Sequence, residues 1–311
     1  MAFRIRPDES VSDGLRRLAV KSLERARQGL RRRTAPGDES IHEARSQVKK
    51  VRAIVRAIEA DDSRAVAKGR KRLRRINRIL SPLRDADAML ATLSELRRRN
   101  PRLFTERTFA RLRRELSARK RKTMAAVERE GRWLQVDRDL SALRASAKRW
   151  QLTHRGVRTL KRALRATHRQ GRRALERAEQ TQDAADSHEW RKQIKALWYE
   201  LRLLEGAGGI IRRHIAALHR AETWLGDEHN VVVLCAELSK DASICAGPFD
   251  LQRLTLAANR YQCELRAKAL ASAGPIYARK SRIYVRAIMR AWKTGRHRSA
   301  GRRARPHSTA A

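Results

Sequence analysis

A sixteen-residue amphipathic segment occurs twice in this chain, as IHEARSQVKKVRAIVR from Ile41 to Arg56 and as SHEWRKQIKALWYELR from Ser187 to Arg202. When His42 is laid on His188, Arg45 falls on Arg191, Lys49 on Lys195 and Arg56 on Arg202. On an α-helix, which advances about 100° per residue, these four positions lie within roughly 60° of one another. Imidazole and cations thus form one seam along the helix. Val48, Val51 and Val55 in the first copy, and Ile194, Leu197 and Leu201 in the second, make a neighbouring apolar arc. Each segment is therefore expected to pack by one face while holding a strip of positive charge beside the core.

A second block repeats in step with the first. LSPLRDADAML (Leu80 to Leu90) aligns with LGDEHNVVVLC (Leu225 to Cys235), only one position out of register with the seams. Two linked segments at nearly constant spacing point to an internal duplication of a helical unit of about 145 residues, expected to pack about a pseudo-two-fold axis. Helical periodicity runs through the rest of the chain, aromatics are only 5%, and no alternating strand pattern stands out. The expected class is all-α. Helices are expected from about Val11 to Arg32 and from Asp38 or Ser40 to Ala60. A third is capped at Asp61 to Ser63 and ends near Leu80, and a fourth opens at Pro82, since proline suits a first turn. The second half is read as a long basic helix over Val136 to Glu179, broken near Thr153, then Asp186 to Leu204, Ile210 to Trp224, Asp227 to Lys240, Asp250 to Ala271 and Pro275 to Trp292. Residues 294–311 read as a disordered basic tail.

Charge limits the partners. Seventy-four Lys and Arg against 33 Asp and Glu leave a formal charge of +41, and a compact chain so charged repels itself unless anions attend it. Nucleic acid, an anionic membrane surface and a condensed phosphate polymer all qualify. The three cysteines, Cys235, Cys245 and Cys263, form neither a CxxC metal knuckle nor a disulfide framework and fit a reduced compartment. No apolar run reaches the roughly 18 to 20 residues of a membrane span, and MAFRIRPDES has no signal-peptide core, so the cytoplasm is the expected location.

With HEARSQVKKVR and HEWRKQIKALWY, and with LSPLRDAD and LGDEHN, the sequence resembles the CHAD family, the conserved-histidine α-helical domain, over about residues 8–293. The resemblance implies two four-helix bundles related by pseudo-two-fold symmetry, about 8–135 and 136–293, with a basic central groove or pore. It also implies non-catalytic binding of inorganic polyphosphate, often at polyphosphate granules, with no cofactor. Ser81 stands where the family has Gly, and Asn230 where Asp is usual. The strand-borne Glu-x-Glu-x-Lys motif of a triphosphate-tunnel domain, often fused to family members, does not occur, so no hydrolase activity is implied.

The expected polyphosphate-binding residues are His42, Arg45, Lys49, Arg52 and Arg56 from the first seam, with His188, Arg191, Lys192, Lys195, Tyr199 and Arg202 from the second. Arg offers planar paired donors to phosphate oxygens, Lys a compact charge, and His a donor that charges near neutrality. The copies are unequal, because Arg52 is answered by Trp198 and Ser46 by Lys192. His168-Arg-Gln-Gly-Arg-Arg173 resembles the family's Tyr-x-x-Gly-Arg stretch and adds Arg169 and Arg172. Asp85 and Asp87 are expected to pair with cations on adjacent helices. Catalysis has little support: each His-Glu-x-Arg lacks the second histidine of a zinc-protease helix, Ser46 and Lys192 standing at that position, and no Ser or Cys nucleophile recurs with the histidines. A general nucleic-acid binder is the competing reading, against which stand the missing helix-turn-helix, zinc-finger and RNP signatures.

Overall fold

The computed structural model describes residues 3–31, 38–58, 64–150, 156–206, 208–240 and 248–303. Among them are ten helices and no strand: α1 (Val11–Arg31), α2 (Asp38–Ile58), α3 (Arg64–Arg99), α4 (Glu106–Arg129), α5 (Arg132–Lys148), α6 (Gly156–Thr181), α7 (Ala184–Leu203), α8 (Gly209–Ser239), α9 (Pro248–Tyr277) and α10 (Ser281–Arg303). In the first half α1 packs on α2 and α5, and α3 on α2, α4 and α5. In the second half α6 packs on α7 and α10, and α8 on α7, α9 and α10. The halves join where α2 meets α6 and α7 and where α3 meets α8. The division expected at 135/136 falls inside α5, a helix seated on α1 and α3.

Two apolar clusters account for these contacts, and each draws on both halves. The larger takes the inner faces of α1, α2, α5, α6, α7 and α10, with Ile54, Ile58, Leu140, Leu160, Ile194 and Leu197 among its fully buried members. The smaller gathers Leu93, Leu96, Leu112, Leu116, Leu234 and Leu254 at the far ends of α3, α4, α8 and α9. Residues ahead of α1 contribute as well. Phe3 and Ile5 are buried, and the Ile5 amide donates to the Leu203 carbonyl at 2.9 Å.

Three expected boundaries are absent. α3 runs straight through Pro82, because Ile76 and Leu80 on one side and Leu93 and Leu96 on the other belong to the two clusters. Burial at both ends outweighs the single backbone bond that the proline removes. α8 likewise continues through Gly226, between buried Leu225 and Val231, and α9 through Pro275. α10 continues to Arg303, so the stretch 294–303 is helical; residues 304–311, like the expected cap at 61–63 and the break near Thr153, lie outside the described residues.

The tryptophans divide as packing demands. Trp150, Trp190 and Trp292 are buried, while Trp133 and Trp224 are partly so. His168 is fully buried and structural. Its Nε2 lies 2.9 Å from the Ile276 carbonyl, its Nδ1 2.9 Å from Ser281 Oγ, and its ring stacks on Tyr284 at 4.1 Å. Beside it, a Cβ added at Gly171 would come within 2.4 Å of the buried Tyr277 ring. Gly171→Ala is therefore expected to destabilise the fold by about 1–3 kcal/mol through overpacking, seen as a lower denaturation midpoint; an unchanged midpoint would show that Tyr277 yields freely.

Candidate functional site

Burial of the apolar arcs of α2 and α7 turns their basic strips toward one another. Arg45 is 9% exposed. Its Nη1 donates to Ser81 Oγ on α3 at 3.1 Å, while its buried Nε meets no acceptor. Burial pushes its pKa down to about 10; Asp85 opposes that shift, and Arg84 and Arg52 add to it. One turn on, Lys49 is pushed down to about 7, first by burial and then by repulsion from Lys195 and Arg45. The packing of α2 on α7 brings the two strips into one space, and their lysines repel across it.

On α7 the same positions meet a carboxylate. Arg191 Nη2 donates to Glu222 Oε1 at 3.1 Å, its Nε reaches the Glu222 carbonyl at 3.4 Å, and Lys195 Nζ donates to the same Oε1. Burial works to raise the Glu222 pKa, but Lys195, Arg191 and Lys49 outweigh it and hold the carboxyl below its ordinary range. One turn along α8, a Cβ at Gly226 would stand 2.9 Å from Arg191 Nη2, so glycine leaves room for the guanidinium. Ser81 occupies the matching position on α3, and there the hydroxyl itself becomes the acceptor for Arg45. Serine at this position thus has a physical role.

Toward the C-terminal ends of the seams the arginines are oriented by neutral groups. Arg56 Nη2 donates to Gln170 Oε1 at 2.6 Å and to Gln193 Oε1 at 2.8 Å. Arg202 lies over the Trp198 ring at 4.9 Å, and Trp198 in turn stacks on His219 at 4.8 Å. Trp198 is thus a platform that fixes a cation at the end of the α7 strip. Tyr199, expected as an extra donor, is buried instead. It shares a hydrogen bond with Ser46, and burial pushes its phenol up to about 12.

The remaining expected residues are placed unevenly. His42 and Arg52 are exposed, and exposed Lys192 pairs with Glu189 on its own helix. His188 is half-buried and tilted against His229 at 4.1 Å between ring centres, where burial, Arg191 and Lys192 depress its pKa. The two histidines therefore differ in surroundings despite their register. On α6, Arg169 is exposed and Arg172 stands 3.6 Å from Glu176 of the same helix; Gln170 between them is the residue that meets the seam, through Arg56. Asp87 pairs with Lys120 of α4, and Asp85 lies 3.8 Å from Arg84.

Three participants escaped the sequence reading. Arg84, within LSPLRDAD, donates to Asn230 Oδ1 across the junction of α3 and α8 at 3.2 Å, and its charge bears on Arg45, Lys49, Arg191 and Lys195. His229 occupies the position in the second block that Arg84 holds in the first. Glu222 precedes Gly226 by one helical turn, a spacing that marks it as facing the same way. Among the described residues, no three His, Cys, Asp or Glu side chains come together as a metal site, and no helix is long and apolar enough to cross a membrane.

An all-helical protein whose paired, histidine-headed basic helices converge on one buried carboxylate is the class that these features define. The CHAD domain family matches residues 15–239, and the chain belongs to that family. In the crystal structure of the CHAD domain from the plant Ricinus communis, the fold is similar over 94% of this chain and 95% of that one, with a TM-score of 0.56 and 18% identity. No curated protein matches the chain.

Proposed function

We propose that the chain binds inorganic polyphosphate without altering it chemically, through the cations of α2 and α7, and that it associates with polyphosphate granules. One observation carries the reading: Arg45, Lys49, Arg84, Arg191 and Lys195, drawn from both halves, crowd one another, and Glu222 is bonded to Arg191 and Lys195 with Lys49 in its field. Such a cluster carries an electrostatic cost in the free protein that an anion relieves. Membership of the CHAD family supports polyphosphate as that anion. A polymer with a charge on every unit, thin enough to lie between two helices, suits strips whose cations recur about every 5 Å along a helix. Arg56 and Arg202 extend the strips beyond the buried centre.

Long-chain polyphosphate is expected to raise the melting temperature well above the rise given by the same total phosphate as orthophosphate, as ligand linkage requires of the tighter binder. Equal shifts would overturn the reading. Bound, labelled polyphosphate should also resist double-stranded DNA and RNA at equal charge concentration and fixed salt. Displacement by either would favour a general nucleic-acid binder, which the charge of +41 alone would allow.

A further inference from the structure

The two strips are chemically unlike where they are most buried. In the α7 strip both central cations are already engaged by Glu222, a carboxylate whose side chain is 11% exposed. In the α2 strip the corresponding arginine bonds only the neutral Ser81 hydroxyl, through one nitrogen, its buried Nε has no acceptor, and Asp85 acts on it through its field without a hydrogen bond. The position that answers Glu222 in the repeat is Asn77 on α3, one turn before Ser81 as Glu222 is one turn before Gly226. A neutral amide therefore stands in the register where the second half has a charge.

We infer that Glu222 is an internal counter-anion that occupies the α7 cations until a phosphate chain displaces it, leaving the α2 strip as the subsite that receives the first phosphate. The inference rests on the proposed polyphosphate reading and makes Glu222 a specificity-determining residue. A single phosphate meets Arg45 and Lys49, neither of which is bonded to a carboxylate, but is repelled by Glu222 nearby. A long chain brings enough oxygens to replace the carboxylate on Arg191 and Lys195 as well, so the site discriminates by ligand length. Removing one partner of a buried ion pair leaves the other charges uncompensated, which is the condition under which an external anion binds best.

The test compares wild type with Glu222→Gln, which keeps the shape and removes the charge, using orthophosphate and long-chain polyphosphate as probes. Glu222→Gln is expected to bind orthophosphate at least tenfold more tightly than wild type, with a smaller gain for the polymer, so that the preference for long chains narrows. Unchanged or weaker orthophosphate binding would overturn the inference. Should Glu222→Gln fail to fold even with phosphate present, Asn77→Glu carries the test from the other side. A second carboxylate beside the α2 strip is expected to weaken both probes about tenfold, and undiminished binding would overturn the inference. The two readings fail separately. Wild type that ignores long-chain polyphosphate refutes the proposed function, whereas the orthophosphate gain in Glu222→Gln depends only on what Glu222 holds in place.

Discussion

Replacing Arg45, Lys49, Arg191 and Lys195 together by glutamine is expected to weaken long-chain polyphosphate binding by about three orders of magnitude. A hydrogen bond to a charged group contributes on the order of 1.5–3 kcal/mol, and each 1.4 kcal/mol is about tenfold in affinity. Four such losses, partly offset by relief of their mutual repulsion, give the figure. The control replaces an equal number of exposed arginines, Arg107, Arg113, Arg114 and Arg129, which lie on α4 away from the seams. It removes the same formal charge and is expected to cost no more than about tenfold, through the general field alone. Similar losses in the two variants would mean that affinity is spread over the surface. Circular dichroism and melting of the free variants separate binding from folding.

Acidification from pH 8 to pH 6 is expected to strengthen polyphosphate binding about tenfold at constant salt. Lys49 has a folded pKa near 7, lowered from its ordinary value by burial and by Lys195 and Arg45. For a lysine lowered in this way, the folded state binds fewer protons than the unfolded state between about pH 7 and 10. The stability cost therefore grows as pH falls through that window and levels off below 7. A bound polyanion restores the charge, so binding takes up a proton above pH 7 and needs none below it. A site that is mostly neutral at pH 8 and mostly charged at pH 6 gains about tenfold in affinity across that range. Two neighbours act in the same direction. His188 is depressed by burial and by Arg191, and Glu200, fully buried under Arg56 and pushed up to about 7 by burial, gains a negative charge as pH rises. Calorimetry at pH 8 in buffers of differing ionisation enthalpy should report proton uptake. Proton release, or binding that tightens with rising pH, would contradict the assignment. Lys49→Arg, which stays charged throughout, should flatten the profile.

Local periodicity was enough to place the seams, since a helix that buries Val48, Val51 and Val55 must turn Arg45 and Lys49 to the adjoining face. Pro82 and Gly226 misled because each is a local stop signal, and what carries α3 and α8 past them is burial in clusters assembled from the other half of the chain. Glu222 and Arg84 were missed for a related reason. Their roles come from the junction of α3 and α8 with the seams, which spacing along one helix does not reveal. The paired histidines show the limit of register. His42 and His188 align, yet among the described residues it is His188 that lies against a second imidazole, because the block behind it has His229 where the other has Arg84.

The unequal halves also bear on how a ligand lies in the site. Linear polyphosphate reads identically from either end, so on the proposed reading a site with one open and one guarded flank would accept it in two opposite alignments of equal energy. That degeneracy is worth RT ln 2, about 0.4 kcal/mol, and it lets a chain enter by whichever terminus arrives first. A nucleic-acid strand, whose sugars give it a polarity, would find the two alignments unequal. The asymmetry between Ser81 and Gly226, and between Asn77 and Glu222, thus costs a directionless polymer nothing while obliging a directional one to choose.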